Sequence, residues 1–207
     1  MMEHTKLHLK TWLLAIHFVI QAKTGILSLA GKRSLGVCYP TAWLQHHKIN
    51  NAMPQQEPAP RLGGAVQLDG ACFDGECSGG KVGQGSENKV PFVAAAPLNV
   101  EGLPMHLKLD PVSGFSADAI AKGAKANLPP IATVLSEGLA CLAAVTAASC
   151  IHTPRVVGAL KPRDLSEFKW VTLLENLDAE LAGAFKALKF GKYAKTYLAA
   201  FARRFNH

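Results

Sequence analysis

Asp69, Glu137 and the cluster Glu175, Asn176, Asp178 and Glu180 are the residues of this 207-residue chain whose types and placement could do chemistry. Asp69 ends a short alternating run, Ala65-Val66-Gln67-Leu68, that reads as a β-strand. Glu137 stands just past another strand-like run, Ile131 to Leu135, with Gly138 to turn the chain. The cluster lies on a helical stretch from Trp170 to Leu188. All are hard oxygen donors of the kind Mg²⁺ takes. Two such ions roughly 3.5–4 Å apart can activate a water or a 3′-hydroxyl and stabilise a leaving oxygen. Taken singly, Glu137 and Glu175 read as surface carboxylates, which are common. Their joint placement carries the argument.

The elements that must position them follow from punctuation and periodicity. Beyond the strand ending at Asp69 comes a glycine-rich loop, Asp74 to Gly85. Strands are predicted over Lys89 to Pro97 and Pro104 to Leu109, joined by a turn at Leu98-Asn99-Val100-Glu101-Gly102. Ser116 caps a predicted helix from Ala117 to Asn127. Then come the strand Ile131 to Leu135, a helix Leu139 to Ala148, a fifth strand Arg155 to Val157, and helices at Trp170–Leu188 and Lys192–Phe205. Three strands in hairpins followed by alternating helices and strands make a mixed-sheet α/β pattern. That order matches the RNase H-like fold, and other mixed α/β folds can be written the same way. In the RNase H-like arrangement the metal ligands come from the first strand's end, from just after the fourth strand, and from a late helix. The sequence supplies oxygen donors at all three places.

The first fifty residues read differently. A core-facing helix is predicted from Leu9 to Lys23, a short one from Ile26 to Arg33, and a third starting near Tyr39-Pro40-Thr41 after the turn Ser34-Leu35-Gly36-Val37. Helix, glycine-bearing turn, helix is the pattern of a helix-turn-helix, and equally of an αα-hairpin with a solvated outer face. In the first case Thr41, Gln45, His46 and Lys48 would reach base edges and phosphates. Lys81 and Lys89 complete the candidate DNA-binding set. The stretch Asn50 to Arg61 has little to bury, so the expected organisation is a helical segment 1–53, a linker 54–61 and an α/β domain 62–207.

Composition narrows the classes. With 49% hydrophobic residues the chain is not a disordered protein, and its formal charge of +7 suggests a polyanionic partner. Five cysteines without a CxxC spacing argue against a disulfide framework or a zinc ribbon. The apolar run Trp12 to Ile20 is too short to span a bilayer, which takes roughly 20 residues. A cytoplasmic protein with no membrane contact is expected. Gly79-Gly80-Lys81 is followed by Val82 rather than Ser or Thr, so a phosphate-binding GxxxxGK[ST] loop is not met.

Several segments resemble bacterial insertion-sequence transposases of the DDE superfamily, in the branch with a zinc ribbon and helix-turn-helix before the catalytic domain. They include Thr11-Trp12-Leu13-Leu14-Ala15-Ile16-His17, Leu35-Gly36-Val37-Cys38-Tyr39-Pro40-Thr41-Ala42-Trp43-Leu44 and Gly85-Ser86-Glu87-Asn88-Lys89-Val90-Pro91-Phe92. Pro111-Val112-Ser113-Gly114-Phe115, Leu135-Ser136-Glu137-Gly138-Leu139 and Tyr197 to Asn206 continue the likeness in the same order. The resemblance implies an RNase H-like five-stranded mixed sheet flanked by helices, preceded by a helix-turn-helix. It implies Asp69 as first metal ligand, Glu137 where the family has its second aspartate, and Asn176 at the third catalytic position. Two Mg²⁺ or Mn²⁺ ions, double-stranded DNA as partner, and a homodimer or higher assembly on DNA are implied with it. Three departures count against activity: Glu137 is a methylene longer than aspartate, no lysine follows Asn176 as the family's motif has it, and the ribbon is missing. A catalytically dead DNA-binding remnant or regulator is the alternative expectation.

Overall fold

The computed structural model describes residues 2, 5–22, 28–53, 61–74, 89–155, 177 and 190–206. The chain divides into two compact units, Met1–Pro58 with Leu173–Leu188, and Ala59–Thr172 with Lys189–His207.

The first unit contains helices α1 (Leu9–Gln21), α2 (Ser28–Leu35) and α3 (Tyr39–Ala52). Trp12, Ala15 and Val19 recur at helical spacing on α1 and pack with Ile49 of α3, while Leu35 and Met53 close the cluster. Trp12 also donates its indole N–H to Thr5 Oγ1 at 3.0 Å, so the buried ring keeps its one polar atom satisfied. The chain leaves α2 through Gly36, whose φ of +66° only glycine adopts without strain. Pro40 in the first turn of α3 costs no hydrogen bond.

The second unit is built on one five-stranded sheet of order β3-β2-β1-β4-β5. Its strands are β1 (Ala65–Asp74), β2 (Lys89–Leu98), β3 (Lys108–Pro111), β4 (Thr133–Glu137) and β5 (Ile151–Arg155). β1 and β2 pair antiparallel over ten positions, β2 and β3 antiparallel, and β1, β4 and β5 run parallel. One face is covered by α4 (Ala117–Asn127) and a 3₁₀ helix (Ala140–Ala148). There Val66, Leu68 and Val134 meet Ile120, Ala124, Leu128, Leu142 and Val145 in a single core. The last helix, α5 (Phe190–Asn206), packs against β3 and β2. The mixed sheet flanked by helices is RNase H-like. Among the described residues no helix is long and apolar enough to cross a membrane.

Several elements differ from expectation for visible reasons. The helix expected over Leu139 to Ala148 is 3₁₀. Leu139, Leu142, Val145 and Ala148 recur every three residues and all contact the core, a period that the three-residue turn places on one edge. β3 begins at Lys108 rather than Pro104, which makes only an isolated bridge to Leu98. Leu107 between them is drawn off by Asn206. The amide of Asn206 accepts the Leu107 N–H at 2.8 Å and donates to its carbonyl at 3.1 Å, replacing a strand partner with a side chain. β5 runs Ile151–Arg155, four residues earlier at its start than expected. The helix expected at Trp170–Leu188 lies outside the described residues except for Leu177, which is helical and buried. α4 spans the expected residues, with Ser116 Oγ accepting the Ala119 N–H at 3.3 Å.

Candidate active site on the central strands

Asp69 lies in the middle of β1, not at its end as expected. The reason is the antiparallel ladder, which carries β1 on to Asp74 against Lys89 of β2. What ends near Asp69 is the parallel pairing with β4, whose last register pair is Leu68 with Ser136. One step further along these two strands stand Asp69 and Glu137. Glu137 is thus the last residue of β4 rather than the first beyond it, and its partner across β5 is Arg155. Neighbouring strands lie about 4.8 Å apart, so the two residues occupy one level on adjacent strands at the point where β4 finishes.

Local features fix the Asp69 backbone. Its Oδ1 accepts the N–H of Gly70 at 2.7 Å. Ala94, directly across on β2, is fully buried and brings no bulk beyond Cβ. Side chains alternate along a strand, so Gly70 faces the α4 side together with Leu68. A Cβ at Gly70 would sit 2.7 Å from Phe115 Cε1 and 3.2 Å from its Cζ. Glycine here is a packing requirement.

Ser136 and His152 support the end of β4 in a way the sequence did not suggest. Ser136 is fully buried, and its Oγ lies 2.8 Å from His152 Nε2 on β5. Burial holds the His152 imidazole below its ordinary pKa, so near neutral pH it is uncharged beside the hydroxyl. The two residues are 16 positions apart in sequence and share no motif. Only the parallel register of β4 and β5 brings them together.

The other candidate residues are distributed as follows. Asn176 and Lys81 lie outside the described residues. Lys89 opens β2. Thr41 and Lys48 are half-buried on α3. Gln45 and His46, expected on its outer face, are buried at 2% and 7% exposure. They fall in the stripe Ala42, Gln45, His46, Ile49, Asn50, which is the inner face of the helix. The apolar Ala42 and Ile49 dictate which side turns inward, and the polar side chains between them go with it. Thr41 is engaged locally: its Oγ1 is 3.0 Å from Cys38 Sγ, and this hydrogen bond holds the exposed Cys38 thiol below its ordinary pKa. Among the described residues no group of three or more His, Cys, Asp or Glu side chains gathers as a metal site.

The model of the ISXO2-like transposase domain matches residues 61–206. The chain belongs to this family of DDE-superfamily insertion-sequence transposases. No curated protein matches the chain. The matched span begins just before β1 and ends at the last residue of α5, so it takes in the whole sheet of the transposase domain. Transposases of this superfamily use divalent metal ions. The donors present suit such an ion in kind: Asp69 and Glu137 are carboxylates, at one level on neighbouring strands.

Proposed function

We propose that this transposase cleaves and joins DNA strands at a divalent-metal site to which Asp69 and Glu137 contribute, while the helical first unit docks the element's ends. The observation that carries the reading is the next-in-register placement of Asp69 and Glu137 where the parallel pairing of β1 and β4 stops. When bound, two Mg²⁺ or Mn²⁺ ions would activate the attacking oxygen and stabilise the leaving one. The protein's own part is to hold the carboxylates ready. β1 is fixed on one side by the ten-position ladder with β2 and on the other by β4. β4 is held in turn by β5 and by the Ser136–His152 hydrogen bond. Lys81, Lys89, Thr41 and Lys48 are proposed DNA contacts, and assembly as a dimer or larger complex on DNA belongs to the same reading.

Glu137 favours a second reading, a regulator that binds DNA without cutting it. A glutamate sets its oxygens on the order of 1 Å further from the backbone than an aspartate, whereas catalytic groups need placing within about 0.5 Å. The test is nicking of a supercoiled plasmid carrying the element's ends, by the protein as it stands and by Glu137→Asp and Asp69→Ala. Weak cleavage in Mg²⁺, more in Mn²⁺, a gain with Glu137→Asp and a loss with Asp69→Ala support the transposase. Equal background nicking by all three in both metals leaves the regulator.

A further inference from the structure

The burial of Gln45 and His46 leaves a different set of residues on the outside of α3. Pro40, Leu44 and Asn51 are exposed, Leu44 at 47%, and His47 and Lys48 are half-buried beside them. Pro40, Leu44, His47 and Asn51 are spaced i, i+4, i+7, i+11, which places them in one row along the helix. The row lies opposite the buried stripe. At its edge the Trp43 indole stacks on the His47 ring, with centroids 5.4 Å apart and planes only 4° from parallel. The stack limits how the imidazole can turn and leaves it on the outer side.

The segment that carries this row has charge of one sign. From Thr5 to Met53 the sequence holds no aspartate or glutamate, against six lysines and arginines. Lys32 and Arg33, both exposed, occupy the last turn of α2, just before the Gly36 turn into α3. A row of exposed and half-buried residues able to offer hydrogen bonds and one apolar contact, on a segment that carries cations and no acids, matches a duplex major groove: base edges in the middle, phosphates at the rim.

Resting on the DNA-docking reading above, we infer that the sequence-reading surface of this transposase is the Leu44–His47–Asn51 row of α3, with Lys32, Arg33 and Lys48 on the phosphates. Asn51 has the amide that pairs with the N6 and N7 edge of adenine. His47 supplies a ring nitrogen to a base edge, and Leu44 an apolar contact of the kind that suits a thymine methyl. Gln45 and His46 have no part in reading, because their side chains face the interior of the first unit.

The experiment starts from the full chain and a library of duplexes with a randomised 20-base-pair core (roughly two helical turns), enriched at about 50 mM salt, where phosphate binding is strong. Fluorescence anisotropy then measures the enriched duplex and a scrambled one against wild type, His47→Ala/Asn51→Ala, Lys32→Gln/Arg33→Gln and Gln45→Leu. Circular dichroism confirms that each variant is folded. The expected result is that His47→Ala/Asn51→Ala binds the enriched duplex about tenfold or more weaker but the scrambled one less than about twofold weaker, since base contacts carry the discrimination. Lys32→Gln/Arg33→Gln should weaken both duplexes alike and reduce the salt slope by roughly 2, about 0.9 for each phosphate no longer neutralised. Gln45→Leu should keep the preference of wild type. Enrichment by wild type with an unchanged preference in His47→Ala/Asn51→Ala overturns the assignment while leaving DNA docking in place. A preference abolished in Gln45→Leu and kept in the outer-face variant reverses the assignment. No binding of any duplex by wild type removes the docking reading, and the row with it.

Discussion

Replacing Gly70 with alanine should loosen the sheet beside Asp69, by an amount that follows from one close approach. The new Cβ would lie 2.7 Å from Phe115 Cε1. Carbon atoms are at rest near 3.5–4.0 Å, so strand and ring must part by about 0.8 Å even to reach the near limit. Overpacking of this kind costs roughly 1–3 kcal/mol. Alanine returns about 0.5–1 kcal/mol, because it gives up less backbone freedom on folding than glycine does. The net expectation is a loss of about 1–2 kcal/mol, or roughly 2–8 °C in Tm for a chain of this size. Phe115→Leu shortens the ring that obstructs the methyl, so Gly70→Ala/Phe115→Leu should be more stable than the sum of the single losses by about 1 kcal/mol. Urea unfolding of the four proteins supplies the cycle. Additivity within about 0.5 kcal/mol, or a Gly70→Ala protein as stable as wild type, refutes the reasoning. Asp69 is affected too, since the Gly70 N–H is the donor to its Oδ1. Any plasmid nicking should therefore fall in Gly70→Ala and recover in the double variant.

Three further outcomes are expected. Ile131 holds a φ of +71°, rare for a β-branched residue, and its side chain is 76% exposed; Ile131→Gly should therefore gain about 1 kcal/mol in urea unfolding, with a loss showing that the isoleucine is held by contacts worth more than its strain. The amide N and O of both Gln45 and Asn50 are buried with no hydrogen-bond partner among the described residues, so Gln45→Leu or Asn50→Leu should raise the stability of the first unit by about 1–2 kcal/mol; a fall would reveal a bound water or another partner for the amide. Stability should also fall at both ends of the pH range, as followed by thermal melts. Burial, with Tyr193 adding to it, pushes the Tyr197 phenol up to about 12, so its contribution is complete below the unfolded value near 10 and lost as pH rises through 12; burial lowers His152, so its contribution is complete above the unfolded value near 6.5 and lost as pH falls below it. Tyr197→Phe should flatten the alkaline limb, and His152→Gln the acid one.

Much of the second unit could be read from the sequence because its elements are signalled locally. Ser116 states where α4 begins, and the alternation Ala65-Val66-Gln67-Leu68 states that β1 exists. Ends set by distant partners were not legible. β1 continues past Asp69 because β2 offers ten consecutive partners, and β3 starts late because Asn206, from the far end of the chain, takes the Leu107 peptide groups. The inner face of α3 was missed for another reason. Gln45, His46 and Asn50 look like surface residues by type, and only the positions of Ala42 and Ile49 among them reveal which side is buried.

The same distinction explains how much of the candidate site is legible before folding. Asp69, in the interior of β1, is paired with Ala94 in a ladder that continues to Asp74, while the pairing with β4 stops one residue before it, at Leu68 and Ser136. Glu137 is paired on one side too, with Arg155 of β5, but at the last position of both its strand and that ladder. The two residues therefore differ in how firmly the fold holds them, although their neighbourhood in space follows directly from the register. Asp69 carries the more rigid backbone, and Glu137 combines the longer side chain with a strand terminus. A site of this kind should tolerate the exchange Glu137→Asp better than any change at Asp69, because the end of β4 can adjust by small backbone shifts that the centre of β1 cannot make without breaking ladder hydrogen bonds. That asymmetry comes from the sheet itself, and the cleavage assay on the two variants measures it.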